Sequence, residues 1–360
     1  MTVPSPIRTA VLGFGVSGKV FHAPLIQADP HYSLDAIVTA NPVRVATAAK
    51  KYPRTRIINT ASDLFAAVDS GDLDLDLVVL GTPPGTHVEL AEAAFARGLN
   101  VVVDKPFVPT SDEGEVLINR AAESGVVLTV FQNRRWDADY LTLKKLLREG
   151  ALGEVRSFES RFEWWKPEGF GNWRDRATLA EGGGILHDLG THLIDQVIEL
   201  FGPVVESYGE TVTHSPNNSA DQDCFVSLLH QSGVRSRLWM NGLAAQVGPR
   251  FHLLGTTTAY TKWGLDGQEA ALESGVLPTD DHYGAEPENR WGLLGVDNAT
   301  TAVPSERGCY PLFYAQLAAA LRDGASLPVD PAESVTVLRV IEKIMASADL
   351  PSHTQKESYL

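Results

Sequence analysis

Ile7-Arg8-Thr9-Ala10-Val11-Leu12-Gly13-Phe14-Gly15-Val16-Ser17-Gly18-Lys19 is the stretch on which the reading of this chain turns. The apolar run from Ile7 to Leu12 predicts a buried strand, and Lys19 to Gln27 predicts a helix apart from Pro24. Strand, glycine-rich turn and helix in that order present main-chain N–H groups and a positive helix end to a pyrophosphate. The glycines divide three tasks: a tight turn, close approach of backbone to ligand, and packing of helix on strand. Gly13, Phe14, Gly15, Val16, Ser17 and Gly18 are therefore candidate dinucleotide-binding residues. The same letters fit the G-x-x-x-x-G-K of a nucleoside-triphosphate loop, but Val20 stands where Ser or Thr would hold magnesium.

Composition narrows the partners. At 360 residues the chain is long enough for two domains, and its net charge of −15 argues against a nucleic-acid groove or an anionic membrane surface. Cys224 and Cys309 form neither a disulfide framework nor a metal-spaced pair, which suits a reducing cytoplasm. No apolar run approaches ~18 residues and residues 1–10 lack a long apolar core, so neither a membrane span nor a signal peptide is expected.

Working outward, Leu34 to Thr39 predicts a second strand, and Asn41-Pro42 opens a helix with an Asn cap and proline in the first turn. An NAD site usually ends this strand in Asp or Glu, for the adenosine ribose hydroxyls. Here the tip is Thr39-Ala40-Asn41, and Arg44 lies in the first helical turn, where charge and helix dipole both favour a phosphate. Thr39 and Arg44 become candidate cofactor residues, and NADP is favoured over NAD. Helix and strand signals alternate as far as Phe131, which predicts a doubly wound parallel sheet over residues 1–132. Asp72, Asp74 and Asp76 alternate like a calcium loop but lack its glycine and distal Glu, and read as a polar strand entry.

Past Gln132 the pattern changes. A helix over 134–150 is followed by strands near 154–165, 204–213, 224–229, 234–240, 251–254 and 259–263, with one helix at 185–200. This predicts an α+β domain with a mainly antiparallel sheet over residues 133–360. Residues 265–308, rich in Gly, Pro and charge, read as a long loop, and helices at 312–323 and 331–347 are placed to pack back on the first domain.

Two constellations carry chemistry. In Val103-Asp104-Lys105-Pro106 the proline holds Lys105 extended at the carboxyl end of a strand, where such sheets bind ligands; an amine there can exchange a proton with an alcohol oxygen. In His187-Asp188-Leu189-Gly190-Thr191-His192, Asp188 and His192 are neighbours on one α-helical face, so an imidazole base oriented by a carboxylate is available. A metal held by His187, Asp188 and His192 is set aside, because 187 points away from that face and no convincing third ligand remains. Packing or capping explains the same residues without chemistry.

Gly13 to Gly18, Thr82-Pro83-Pro84-Gly85-Thr86-His87, Asp104-Lys105-Pro106 and the 182–195 segment together resemble the glucose-fructose oxidoreductase / inositol dehydrogenase / rhizopine-catabolism family over nearly the whole chain. Gly18 to Pro24, Phe131 to Asp137 and His187 to Gln196 are most similar to its branch containing NADP-dependent scyllo-inositol dehydrogenase. The resemblance implies NAD or NADP as cofactor and a sugar or cyclitol hydroxyl as substrate. It implies Lys105, Asp188 and His192 at the reacting carbon, Thr82, Pro83, His87 and Asp104 beside the cofactor, and a homodimer or homotetramer packed through the open sheet. Arg134, Trp136, Trp164, Trp165, Trp173, Arg174 and His187 are expected around the substrate, where aromatic faces suit sugar rings.

Three departures stand out: Asp104 replaces the usual Glu, Pro84 the usual Asn, and His187 a frequent Tyr. A cofactor-binding sugar-responsive regulator and a nicotinamide-assisted glycoside cleaver are the alternatives to a dehydrogenase.

Overall fold

The strand from Ile7 to Leu12 (β1) is central to a sheet whose interior is apolar on both faces, as parallel sheets require. The computed structural model describes residues 5–169, 177, 183–214 and 220–348. Helix α1 (Ala23–Ala28), β2 (Tyr32–Val38), α2 (Pro42–Lys51), β3 (Arg56–Ile58) and α3 (Ala61–Asp69) follow β1. Then come β4 (Leu77–Leu80), α4 (His87–Phe95), β5 (Asn100–Asp104), α5 (Ser111–Glu123) and β6 (Leu128–Phe131). The parallel strands run in the order β3-β2-β1-β4-β5-β6, so the direction of winding reverses between β1 and β4 and opens a crevice at their carboxyl ends.

Local chemistry fixes the helix starts. Asn41 Oδ1 accepts from the N–H groups of Val43 and Arg44, as its position before Pro42 predicts. Thr60 caps α3, and Thr110 with Glu113 forms a capping box on α5. The alternating aspartates are ion-pair partners: Asp76 and Asp74 bind Arg8 at 2.8 and 3.0 Å, and Asp72 binds Arg56 at 2.7 Å. β3 was not anticipated; at three residues, with Arg56 exposed, it is too short to show a period.

The helix after the glycine loop opens with a π-helical stretch, Ser17–His22. Proline lacks a donor and its ring crowds the carbonyl four residues back, and Pro24 sits just after this widened turn. Pro24 therefore does not interrupt the helix.

The second sheet has eight strands: β7 (Val155–Glu163), β8 (Val204–Val212), β9 (Asp223–His230), β10 (Arg235–Asn241), β11 (Phe251–Gly255), β12 (Ala259–Lys262), β13 (Gly292–Val296) and β14 (Ala299–Val303). Their order is β14-β13-β12-β11-β7-β10-β9-β8, antiparallel except where β10 runs parallel to β7. One face is buried by Phe158, Phe162, Val226, Leu228, Leu238 and Met240. The remaining helices are α6 (Ala138–Arg148), α7 (Thr191–Phe201), α8 (Gln268–Ser274), α9 (Pro311–Asp323) and α10 (Pro331–Ala348).

Two expectations are corrected. Residues 265–308 are not a structureless loop: they hold α8 and the β13–β14 hairpin, whose strands are largely exposed and so lack the apolar alternation that marks a strand. The division at 132/133 also gives way. One compact unit combines 1–145, 265–291 and 304–335; the other combines 146–264, 292–303 and 336–360. Helix α9 belongs with the first unit and most of α10 with the second. Among the described residues no helix is long and apolar enough to cross a membrane.

Candidate active site

The glycines of the first turn are forced by contact. Gly13 has φ of +93°, and a Cβ on it would lie 2.6 Å from the Gly81 carbonyl oxygen. A Cβ on Gly18 would lie 2.0 Å from the Gly13 carbonyl oxygen, so helix and strand can approach only with glycine there. Gly15 is the open one: the nearest atom to its Cβ position is Arg44 Nη1 at 3.9 Å. A bare backbone beside a guanidinium, at the winding reversal of a parallel sheet, fits a dinucleotide phosphate. Phe14 lends only its main chain to the loop, since its ring is buried edge-on against Tyr52.

Beside this loop is a cavity of about 480 Å³ lined by Gly15, Val16, Lys19, Arg44, Thr47 and Lys51 on one side. Leu272, Glu273 and Gly275, from the end of α8, line the other side. Burial lowers the Lys51 pKa, and the nearby Lys19 charge lowers it further, so two ammonium groups and a guanidinium share one wall. Of these cations the sequence reading singled out only Arg44. Lys51 follows Arg44 by two helical turns on the same face of α2, a spacing that could have revealed it. Thr39, at the end of β2, is buried and bonded through its N–H to the Ile58 carbonyl.

At the carboxyl end of β5, Lys105 and Asp104 are both partly exposed, and the Lys105 N–H donates to Asp104 Oδ1 at 2.7 Å. Burial pushes the Asp104 carboxyl up, but contacts with His22 and Ser17 and the Lys105 charge outweigh it and hold the group below its ordinary range. His87 has no exposed surface; Nδ1 lies 2.8 Å from the Phe107 carbonyl oxygen and Nε2 2.9 Å from that of Thr82. Both ring nitrogens are thus committed to main chain. The direct cofactor contact expected of His87 finds both ring nitrogens facing main-chain carbonyls. Pro83 precedes, and Pro84 begins, a short 3-10 turn in which Thr86 Oγ1 donates to Thr82 Oγ1 and to the Pro83 carbonyl.

In the second unit the 183–201 segment departs from the α-helix assumed for it. Leu186–Gly190 is π-helical before α7 begins. His187 therefore lies in the π-helical turn and His192 in the α-helix that follows it. His187 and His192 are both buried, and Asp188 is partly exposed. Burial also lowers the His187 pKa, partly offset by the Gly183 backbone. The His192 ring meets Phe162 edge-on at 6.2 Å.

Two residues that hold this segment went unnoticed in the sequence. Asp221 Oδ2 accepts from the Leu186 N–H at 2.8 Å, capping the turn from a loop 35 residues away. Arg250, buried, stacks between Phe162 and Phe251 at 4.2 and 4.1 Å and donates to Gln196 Oε1 on α7. Neither carries a local signal, because each acts through a long-range contact.

The substrate residues fare unevenly. Arg134 is spent on carboxylates, Glu269 at 2.8 Å and Asp137 at 3.3 Å, and fastens the first turn of α8. Trp136 is a core residue, buried edge-on against Phe313 at 5.7 Å. Both are corrected from substrate contacts to packing and anchoring. Trp164 packs tilted against Phe162 with ring centroids 5.8 Å apart, and Trp165 is 59% exposed. Trp173 and Arg174 lie outside the described residues. No cluster of His, Cys, Asp or Glu suited to a metal occurs among the described residues.

Comparison with known proteins adds to this geometry. A model of an oxidoreductase family with an NAD-binding Rossmann fold matches residues 7–132, and one of the GFO/IDH/MocA C-terminal domain matches residues 140–261. The chain is 35% identical to the scyllo-inositol 2-dehydrogenase (NADP(+)) IolW of Bacillus subtilis over 346 residues, covering 95% of this chain and 94% of that one. It is 36% identical to the oxidoreductase YdgJ of Escherichia coli, covering 95% and 96%. Among solved structures, the Bacillus subtilis oxidoreductase YvaA superposes with a TM-score of 0.88 at 33% identity over 97% of both chains.

Proposed function

Because the chain belongs to the GFO/IDH/MocA family of NAD-binding oxidoreductases, we propose that it transfers hydride between NADP and a secondary hydroxyl or carbonyl of a sugar or cyclitol. The observation that carries the cofactor choice is the basic wall over Gly15, where Lys19, Arg44 and Lys51 converge and no carboxylate ends β2. A carboxylate there would bind ribose hydroxyls and repel a 2′-phosphate; three cations do the opposite. The inositol-like substrate is supported by likeness to the Bacillus subtilis enzyme across nearly its full length.

Bound by this loop, a nicotinamide supplies hydride acceptance or donation at its C4. The chain's own residues do the rest. The 13–18 loop and the Thr82 turn hold the dinucleotide, and the α2 cations hold the 2′-phosphate. Lys105 Nζ and the His192 imidazole take up or return the hydroxyl proton, and Asp188 orients the exchange. The protein acts as a homodimer or homotetramer. The open sheet face that supports this carries the row Phe225, Trp239 and Arg161, with ring centroids 5.1 Å apart and Arg161 4.0 Å over Trp239.

Titration with NADP and NAD in parallel tests the cofactor, and a screen of inositols, aldoses and sugar acids, read by reduced-nicotinamide absorbance, tests the substrate. NADP should bind at least about tenfold tighter, or about 1.4 kcal/mol. A preference for NAD, or silence across the polyol panel with cofactor bound, rejects the proposal.

A further inference from the structure

Asp104 is one methylene shorter than the acid that usually precedes this lysine, and the surrounding structure reaches in to meet it. His22, fully buried on the helix after the glycine loop, places Nε2 3.7 Å from Asp104 Oδ2. Its Nδ1 lies 2.7 Å from the Tyr314 hydroxyl on α9. If the hydroxyl donates to Nδ1, the ring hydrogen resides on Nε2 and faces the carboxylate. The imidazole also packs on Phe131, centroids 4.5 Å apart, which leaves it little freedom to turn. Tyr314 is held in its turn: Tyr32 O–H donates to its carbonyl at 2.7 Å, and the two rings meet edge-on at 5.5 Å. At the other end, Asp104 Oδ1 accepts the Lys105 N–H. Ser17 from the glycine loop also faces the carboxyl, and with His22 it opposes the effect of burial there. A line of contacts therefore runs from α9 through His22 and Asp104 to the lysine backbone.

We propose that His22 is a positioning residue for Lys105: wedged between the Tyr314 hydroxyl and the Asp104 carboxylate, it fixes the short acid and, through that acid, the point from which the lysine side chain departs. The proposal rests on the reading of Lys105 as a proton-handling residue. The charged and titratable groups facing this line are Asp104 and Lys105 at the end of β5, Tyr314 on α9, Tyr32 on β2 and His87 on α4.

His22→Gln and Tyr314→Phe, alone and combined with Lys105→Ala, test it, using NADP and the polyol turned over fastest in the screen. His22→Gln should lower kcat about tenfold. NADPH affinity, read by its nicotinamide fluorescence, should stay within about threefold, a shift under about 0.7 kcal/mol. Tyr314→Phe keeps the ring packing and should lower kcat in the same direction by less. In both variants the loss of melting temperature should be largest at neutral pH and shrink as pH falls below about 4, because a depressed Asp104 pKa stabilises the fold only while that carboxyl is ionised. On the Lys105→Ala background, His22→Gln should cause no further loss. Equal losses on both backgrounds, or an unchanged kcat and melting profile in both single variants, overturn the proposal alone. Full turnover by Lys105→Ala itself refutes the reading of the lysine, and the proposal with it.

Discussion

Asp221 is a carboxyl kept in an unfavourable place for the sake of a helix start. Burial lifts its pKa to about 6, against the backbone N–H bonds that pull it down. The folded protein thus holds the proton more tightly than the unfolded chain, whose value is the ordinary 3.8. Its contribution to stability is complete below about pH 4 and is lost as pH rises through 6, an effect of about 3 kcal/mol. Asp221→Asn keeps an acceptor for Leu186 and should melt higher than wild type at pH 7.5, with the advantage vanishing near pH 4; a lower melting point at pH 7.5 would contradict this. Arg44 and Lys105 separate binding from turnover. Arg44→Ala should weaken NADP about tenfold while leaving NAD within about twofold, as measured by calorimetry. Lys105→Ala should keep NADP affinity and lose roughly 10²–10⁴ in kcat. Of the cavity's cations, only Arg44 was legible in the sequence, because it stands in a capped first turn. Lys51 could have been read only from its two-turn spacing to Arg44 on α2, and Lys19 acquires meaning only once two helices are side by side.

At the scale of elements, the turn that begins at Leu186 depends on a glycine as much as on a carboxylate. Gly184 has φ of +91°, and a Cβ there would lie 1.8 Å from Asp221 Oδ1. Gly184→Ala should therefore cost about 2 kcal/mol or more in chemical denaturation, well above the ~1 kcal/mol of an ordinary glycine change. The β13–β14 hairpin offers a milder test. Asn298 sits in its tight turn with φ of 64°, which Asn tolerates better than Ala, so Asn298→Ala should cost about 1 kcal/mol. Elements with a buried face were readable: β4 is a continuous apolar run, β1 and β5 carry apolar runs at Ala10–Leu12 and Val101–Val103, and β9 and β10 alternate in burial. The hairpin was not, since its exposed Ala299–Val303 strand is defined by pairing and not by burial. Nor were the π-helical turns at 17–22 and 186–190, which arise from a proline in one case and follow a left-handed glycine in the other.

For the whole molecule, the open sheet offers the measurement of assembly. Trp239→Glu places a carboxylate in the Phe225–Trp239–Arg161 row and should convert the oligomer to a monomer in sedimentation with its circular dichroism intact. A wild-type protein that sediments as a monomer at micromolar concentration would remove that proposal. The two architectures were legible because the spacing of strands and helices changes character near Gln132; the membership of each compact unit was not, because composition says nothing about which later segments return. That return has a temporal side. The first compact unit recruits α8 and α9 and ends at Val335. A ribosome must therefore deliver most of the polypeptide before the nucleotide-binding half can close, and a nascent chain halted near residue 132 would expose the apolar surface that Phe313 and Tyr314 later cover.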